Sequence, residues 1–379
     1  MTSTTTFVRR LIVGFLALGV QLSTQLKLER VLIVQVDSRG LEGDEMNRAS
    51  YATLTSVLNH HYCKHHGYDY LLIQPTIDVK RFKANSTSTK SSAEARGGDA
   101  RQVPGALHVG LGQLRSVSWA KLPALLYLSL QIGQYYDLIW YMDSDLAVSD
   151  KPSGRSIRDK LEVIQNASKC LGPARSTPCI NWGQPKLFES PMLLFPNSPF
   201  GDTEPCAGTF MFRPTLAASL LLEWWNVDMP DKNFGLMHEQ DALWNLTSSA
   251  DGRFRRIVTL LQEFQFPPKN DKREMCVDGK QWLCHLITTD HEVRGPWFRE
   301  MLEKAGFTQA HFRVAVHHIR KTLAMRLDML DAGHFIDRHS PTLRANALGV
   351  NDCGSDCKVL FPKGLSFIPI ERRLWRDRD

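Results

Sequence analysis

The chain has 379 residues, 43% hydrophobic and 23% charged, with a formal net charge of +6. This is ordinary globular composition, with room for one large α/β domain or two smaller ones. Basic residues are scattered apart from a run between Glu371 and Arg376, so the sequence gives no basis for nucleic-acid binding, although a mild attraction for anionic nucleotides is compatible.

Arg9 and Arg10 precede an apolar run from Leu11 to Val20. The run is short beside the roughly 20 residues of a spanning helix. It reads as the h-region of a signal peptide, or as a minimal signal anchor within residues 1–28 with its positive charge on the cytosolic side. A buried first element is the alternative, which the two arginines and the Thr/Ser leader oppose. Asn-x-Ser/Thr sequons at Asn85, Asn166 and Asn245 agree with entry to the secretory pathway. Eight cysteines suggest disulfides in such a compartment. Spacing makes Cys170 with Cys179, Cys276 with Cys284, and Cys353 with Cys357 plausible pairs, while Cys63 reads as a buried thiol.

Val31 to Val36 reads as a first buried strand, ending in the polar turn Asp37-Ser38-Arg39-Gly40. Such a turn is either a nucleotide contact or a simple strand-to-helix loop. Met46 to His66 carries helical spacing with Gly67 as its stop. The histidines along it, at 60, 61, 65 and 66, read as a helix face rather than a metal cluster. Tyr68 to Ile73 is the second strand. Residues 78–112 are rich in Thr, Ser, Lys, Gly and Ala and read as a surface insertion too polar to pack a core. A helix follows from Val117, with Lys121 near its start; this lysine either reaches a phosphate or snorkels to the surface.

Leu138 to Met142 is an unbroken apolar run, the pattern of a strand buried on both faces of a parallel sheet. Asp143, Ser144 and Asp145 follow immediately. In open α/β sheets ligands bind beyond the carboxyl ends of strands, and paired carboxylates there offer hard oxygens to a divalent cation that can hold a diphosphate. The bland alternative is a turn. A second Asp-x-Asp, Asp377 and Asp379, lies in the charged tail with nothing to make it a site, so the preceding strand is what makes the first one informative.

Residues 151–199 are irregular and suit an acceptor-binding wall. A strand is expected over Cys206 to Phe212, a helix over Leu216 to Trp225, and another helix from His238, with Glu239 and Asp241 either capping it or serving a site. A short strand over 281–288 contains His285. Glu292 and Arg294 precede a helix from Pro296 to Ala305. Phe312 to Val316 reads as a last strand ending in His317 and His318, and residues after about 340 read as polar and turn-rich.

Alternating strands and helices argue α/β with a largely parallel sheet. Four segments then carry a resemblance: Asn59 to Tyr68, Trp119 to Pro123, Trp140 to Asp145, and Ala207 to Phe210 leading to Glu239-Gln240-Asp241-Ala242. In these the chain resembles the GT-A-fold nucleotide-sugar glycosyltransferases, and more narrowly the retaining galactosyl-, mannosyl- and xylosyltransferases of the Golgi. The resemblance implies a Rossmann-like, mostly parallel central sheet flanked by helices, as a single domain over residues 29–335 with a C-terminal extension over 336–379. It implies metal-dependent transfer of a hexose or pentose from a UDP- or GDP-sugar to a glycan or glycoprotein acceptor. The expected setting is lumenal on the Golgi membrane, held through the N-terminal segment, or secreted if that segment is cleaved.

Residue by residue, the resemblance implies that Asp143, Asp145 and a later histidine hold Mn2+, or Mg2+; imidazole favours Mn2+. His285 is the expected third ligand, with His317 or His318 in reserve, although the small residue and Gly usual after that histidine are replaced by Leu-Ile-Thr. Asp37, Ser38, Lys121, Ser144 and Arg294 would contact the donor. Gln240 would face the anomeric carbon, Glu239 would orient hydroxyls, and Asp241 or Glu239 is the alternative carboxylate. Two other functions stay open: an inactive relative that binds glycans or nucleotide sugars, and a sugar nucleotidyltransferase, against which the secretory N-terminus and the lack of a Gly-rich phosphate loop argue.

Overall fold

The computed structural model describes residues 30–77, 104–108, 113–149, 156–166, 193–198, 201–227, 238–248, 258–261, 276, 282–286 and 291–352. The expected N-terminal signal segment, the 78–103 part of the insertion, the sequon at Asn85 and the cysteines at 170, 179, 353 and 357 lie outside the described residues. Among the described residues no helix is long and apolar enough to cross a membrane.

A central sheet is built on β1 (Val31–Val36), β2 (Asp69–Thr76), β5 (Leu138–Met142), β7 (Leu193–Ser198), β9 (Thr209–Phe212), β10 (Val258–Leu261) and β12 (Ala324–Asp328). Their order across the sheet is β10-β7-β9-β5-β1-β2-β12, with β8 (Gly201–Pro205) on β7. Parallel pairs join β10 to β7, β5 to β1, β1 to β2 and β2 to β12; β9 runs antiparallel between β5 and β7. This is the α/β, mostly parallel sheet flanked by helices that the sequence implies, and it is consistent with the GT-A fold.

The alternation of side chains along a strand divides the core in two. Leu138, Trp140 and Met142 face one layer with helices α1 (Tyr51–His66), α6 (His291–Lys304) and α7 (Gln309–His318). Ile139 and Tyr141 face the other, with α2 (Lys121–Gln131), α4 (Pro214–Trp225), α5 (His238–Ser248) and α8 (Met329–Asp352). All five β5 residues are buried, which is why their sequence shows no polar alternation.

Local chemistry sets the boundaries. Helix α1 begins at Tyr51, five residues later than expected, because the Ser50 hydroxyl accepts from the Thr53 N–H and so caps it there. It ends where Gly67, with φ of 70°, takes the left-handed conformation. Cys63 is a buried thiol, as expected, and Cys276 and Cys284 form the disulfide their spacing suggests.

Four expectations are corrected. Phe312 to Val316 is not a strand but the middle of α7. Phe312 and Val316, four apart, are buried while Val314 is 70% exposed, a helical period, and the Thr308 side chain caps the start. The last strand is β12, an edge strand whose polar composition hid it. Residues 104–108 of the supposed insertion form β3 (Pro104–His108), antiparallel to β4 (Gln113–Ser116), and the His108 ring stacks on Trp225 at 4.8 Å. Beyond residue 340 the chain continues as α8 to Asp352, because Met329, Ala332 and Ile336 anchor that helix in the core. Within the supposedly irregular 151–199, α3 (Ile157–Asn166) and β7 are regular.

Candidate active site

Asp143 and Asp145 stand at the carboxyl end of β5, where the parallel strands present their open ends. The Asp143 N–H donates to the Gly208 carbonyl at 2.7 Å, and the Leu146 N–H to the Asp143 carbonyl at 3.1 Å. The chain thus turns straight into β6 (Leu146–Val148). This strand pairs antiparallel with β11 (Leu283–His285), setting Leu146 opposite His285. The short ribbon is the device that brings a histidine 140 positions further along the chain beside the acidic pair, with its Nε2 3.3 Å from Asp145 Oδ1. Arg294, in the first turn of α6, places its guanidinium 3.3 Å from Asp145 Oδ2.

A buried wall stands behind Asp143. Lys121, 3% exposed, reaches Asp143 at 3.2 Å and Glu239 at 3.0 Å and donates to the Ala207 carbonyl at 2.9 Å. Tyr141 hydrogen-bonds Asp143 Oδ1. Glu239, at the start of α5, is buried, and its carbonyl accepts from Trp224 Nε1 at 2.9 Å. On the other side the Arg39 fork grips Asp37 at 2.6 and 2.9 Å and donates to the Ser144 hydroxyl at 2.7 Å. Thr55 Oγ1 donates to the Ser144 carbonyl at 2.7 Å, so α1 also holds the motif.

The charges are arranged against their own burial. Burial alone would raise the Asp145 carboxyl, but His285 and Arg294 pull it down to about 2. Burial would lower His285, but Asp145 lifts it to about 10, so the imidazole carries a proton. Asp143 is held above the usual carboxylate range by burial, with the charges of Asp145 and Glu239 adding to it against the pull of Lys121. Lys121 stays charged despite burial because Asp143 and Glu239 face it. Glu239 is held low by Lys121 and Ser118 against burial.

Gly208 makes the assembly possible. A Cβ built there would lie 2.9 Å from His285 Cε1, 3.2 Å from Asp143 Oδ2 and 3.4 Å from His285 Nε2. Asp143 and His285 therefore converge on the space over this glycine. Two carboxylates and an imidazole are the donor types that suit Mn2+, so the residues fit such an ion in kind, with Asp143 and His285 bordering the space over Gly208 and Asp145 in contact with His285. Among the described residues no three His, Cys, Asp or Glu side chains already form a metal-binding group. In this structure their ligand atoms are turned onto one another and onto Lys121 and Arg294.

Of the residues singled out from sequence, the fold thus brings together Asp143, Ser144, Asp145, Lys121, Glu239, His285 and Arg294, with Asp37 joined through Arg39. Ser38 is exposed on the same turn and Asp241 is half-buried on α5. Gln240 is buried and its amide is committed: it accepts from the Ala207 N–H and donates to the Pro205 carbonyl, clamping the segment that ends in Gly208. The reserve ligands His317 and His318 end α7, where the His318 ring lies 5.3 Å from that of His60, on α1. Sequence reasoning missed Tyr141, Arg39 and Tyr51, whose hydroxyl accepts from the Arg39 guanidinium. Tyr141 reads only as part of an apolar run, and Arg39 and Tyr51 are one-residue signals without a spacing.

No protein-family model matches the chain, and no curated protein matches it. Among solved structures it is similar to a glycosyltransferase involved in the glycosylation of the major capsid of PBCV-1, at 12% identity and a TM-score of 0.42, covering 71% of this chain and 98% of that one. It is also similar to the glycosyltransferase GlyE of Streptococcus pneumoniae TIGR4, at 13% identity and a TM-score of 0.34, covering 77% of this chain and 62% of that one. Likenesses this distant leave function to be read from the site itself.

Proposed function

We propose that this chain is a metal-dependent glycosyltransferase that moves a hexose or pentose from a UDP- or GDP-sugar to a glycan or glycoprotein acceptor. The observation that carries the reading is the convergence of Asp143, Asp145 and His285 at the open end of a parallel sheet, with a buried Lys121–Glu239 pair behind them. Asp143, Asp145 and His285 would hold Mn2+, which when bound neutralises the charge that develops on a departing diphosphate.

The chain's own residues supply the rest. Lys121 fixes Asp143 and Glu239 in register and adds positive potential at the diphosphate from within a dry wall, where electrostatic preorganisation is strongest. Arg294, Ser144 and the turn carrying Asp37 and Ser38 line the donor side. Glu239 is the buried carboxylate available to order sugar hydroxyls. Gln240 shapes the 205–208 ledge through its two backbone bonds, and an uncharged amide near the anomeric centre goes with a retaining reaction by front-face attack. The proposed setting is the Golgi lumen, with residues 1–28 as anchor; the sequon asparagine Asn245 is exposed on α5.

The test is a donor screen with UDP-galactose, UDP-xylose, UDP-glucose and GDP-mannose, each with Mn2+ and with EDTA, scoring nucleotide release and the anomeric configuration of the product. Release with one donor that EDTA abolishes supports the reading. A second reading, a nucleotide-sugar-binding relative without transfer, is favoured by the two backbone hydrogen bonds that hold the Gln240 amide; donor binding with no release under any condition would establish it instead.

A further inference from the structure

The acidic side chains of the site are covered by the protein's own cations: the His285 imidazole on Asp145 Oδ1, a lysine, and two arginines. Lys121 is part of the wall: its ammonium is divided among Asp143, Glu239 and the Ala207 carbonyl, and it is 3% exposed. Arg39 and Arg294 are held on the other acids of the site, Arg39 well exposed and Arg294 with only 11% of its side chain exposed. Arg39 rises from the β1 turn with 43% of its side chain exposed, and it bridges Asp37 and Ser144. Arg294 comes from α6 and sits on Asp145 Oδ2 at 3.3 Å. Both guanidinium groups also lie over the ring of one residue, Tyr51, at 4.6 and 5.0 Å from its centroid. An aromatic face offers a guanidinium a second favourable resting place, and Arg39 Nη1 in addition donates to the Tyr51 hydroxyl.

We propose that Arg39 and Arg294 are a movable pair of arms hinged over Tyr51. In the free protein they cover Asp37, Ser144 and Asp145; when a nucleotide diphosphate arrives they transfer to its phosphate oxygens, so that cation and nucleotide bind as a coupled pair. The inference rests on the reading of this pocket as a nucleotide-sugar site. A guanidinium forks onto phosphate at least as well as onto carboxylate. Its departure frees Asp145 Oδ2, which raises the affinity of the acidic pair for a divalent cation. By linkage the cation must raise the affinity for the nucleotide by the same factor. Neither ligand alone takes the site well, because the cation must compete with Arg294 and the diphosphate must draw both arms from their carboxylates.

Isothermal titration of the full chain tests this, with Mn2+ alone, with UDP or GDP alone, and with each nucleotide in saturating Mn2+, for the native chain and for Arg294→Gln, Arg294→Lys and Arg39→Gln. In the native chain, nucleotide should raise Mn2+ affinity about tenfold or more, within the usual range of coupling between sites. Arg294→Gln should bind Mn2+ alone more tightly than the native chain and lose most of the coupling, whereas Arg294→Lys should keep it. Arg39→Gln, altering the exposed arm, should weaken nucleotide binding in Mn2+ while leaving binding of Mn2+ alone unchanged. Should Arg294→Gln fail to fold, the Lys and Arg39 variants still decide. Nucleotide and Mn2+ binding that are independent of one another in the native chain overturn the proposal and leave the donor site standing. Absence of nucleotide binding in every condition overturns both.

Discussion

Replacing Gly208 by alanine probes the point where the candidate ligands meet. The φ of Gly208 lies outside the left-handed region, so the backbone accepts alanine and only the added methyl matters. That methyl would lie 2.9 Å from His285 Cε1, 3.2 Å from Asp143 Oδ2 and 3.4 Å from His285 Nε2. Ordinary carbon–carbon contact lies at about 3.5–4.0 Å, so the imidazole must retreat by roughly 0.6–1.1 Å. Overpacking of this size costs about 1–3 kcal/mol. At roughly 2–4 °C per kcal/mol for a domain of this size, the thermal midpoint should fall by several degrees. The larger effect should be functional: a ring displaced by that much is lost as a ligand aimed at the cradle, and Mn2+ binding in the presence of UDP should weaken by about tenfold or more, which corresponds to at least 1.4 kcal/mol. The assay is a double-mutant cycle with His285→Ala, read by thermal melting and by Mn2+ titration. Because the methyl acts through the ring, its destabilisation should largely vanish in the His285→Ala background. Strict additivity of the two changes, or native Mn2+ affinity in Gly208→Ala, would refute the placement of the site over this glycine.

Three other outcomes are expected. Lys121→Met should destabilise the fold by roughly 3–5 kcal/mol in urea, since it leaves Asp143 and Glu239 facing each other in a buried wall, and Glu239→Gln in the same chain should restore part of that; a loss under 1 kcal/mol contradicts the wall. Gln240→Ala should lower stability as well as any transfer activity, by about 1–3 kcal/mol, because the Ala207 N–H and Pro205 carbonyl lose a buried partner; unchanged stability would show that the amide is not a clamp. His60 is held neutral, its pKa lowered to about 4 by burial and by the neighbouring His318, Lys64 and His61. The unfolded chain takes up this proton near pH 6.5 and the folded one only near 4, so stability is full above about 6.5 and declines as pH falls through that window, by up to about 3 kcal/mol. His60→Gln should flatten that part of a stability–pH curve, and an identical slope in both chains would contradict it.

The elements legible in the sequence are those whose signal is local. Val31–Val36 and Leu138–Met142 are buried strands, and their unbroken apolar runs, four residues from Val31 to Val34 and five from Leu138 to Met142, report that directly. Ser50 and Gly67 mark the ends of α1, although the cap at Ser50 was hidden behind apolar residues from Met46 onward that pack as a turn. The run Phe312–Val316 misleads because Val314, apolar but exposed, fills the gap in a helical period and makes it look continuous. Strand β12 is illegible because it lies at the sheet edge, where Arg326 is exposed and only Leu327 is buried.

The site divides in the same way. Asp143 and Asp145 are visible because a buried strand delivers them. His285 is visible only through the resemblance, since the β6–β11 ribbon that delivers it is three residues long on each side and leaves no spacing rule. Arg39 and Tyr51 act through a packing arrangement that exists only in three dimensions. The commitment of Gln240 to Pro205 and Ala207 likewise depends on where α5 lands against the strand entry.

The central claim is that Asp143, Asp145 and His285 share one divalent cation that carries the donor's diphosphate. Anomalous diffraction from crystals grown with Mn2+ and UDP tests it most directly. The account predicts a single manganese peak over Gly208, ligated by Asp143, Asp145 and His285 Nε2, with diphosphate oxygens completing its shell. A nucleotide bound with no manganese peak between those residues, or manganese held elsewhere on the chain, would contradict it.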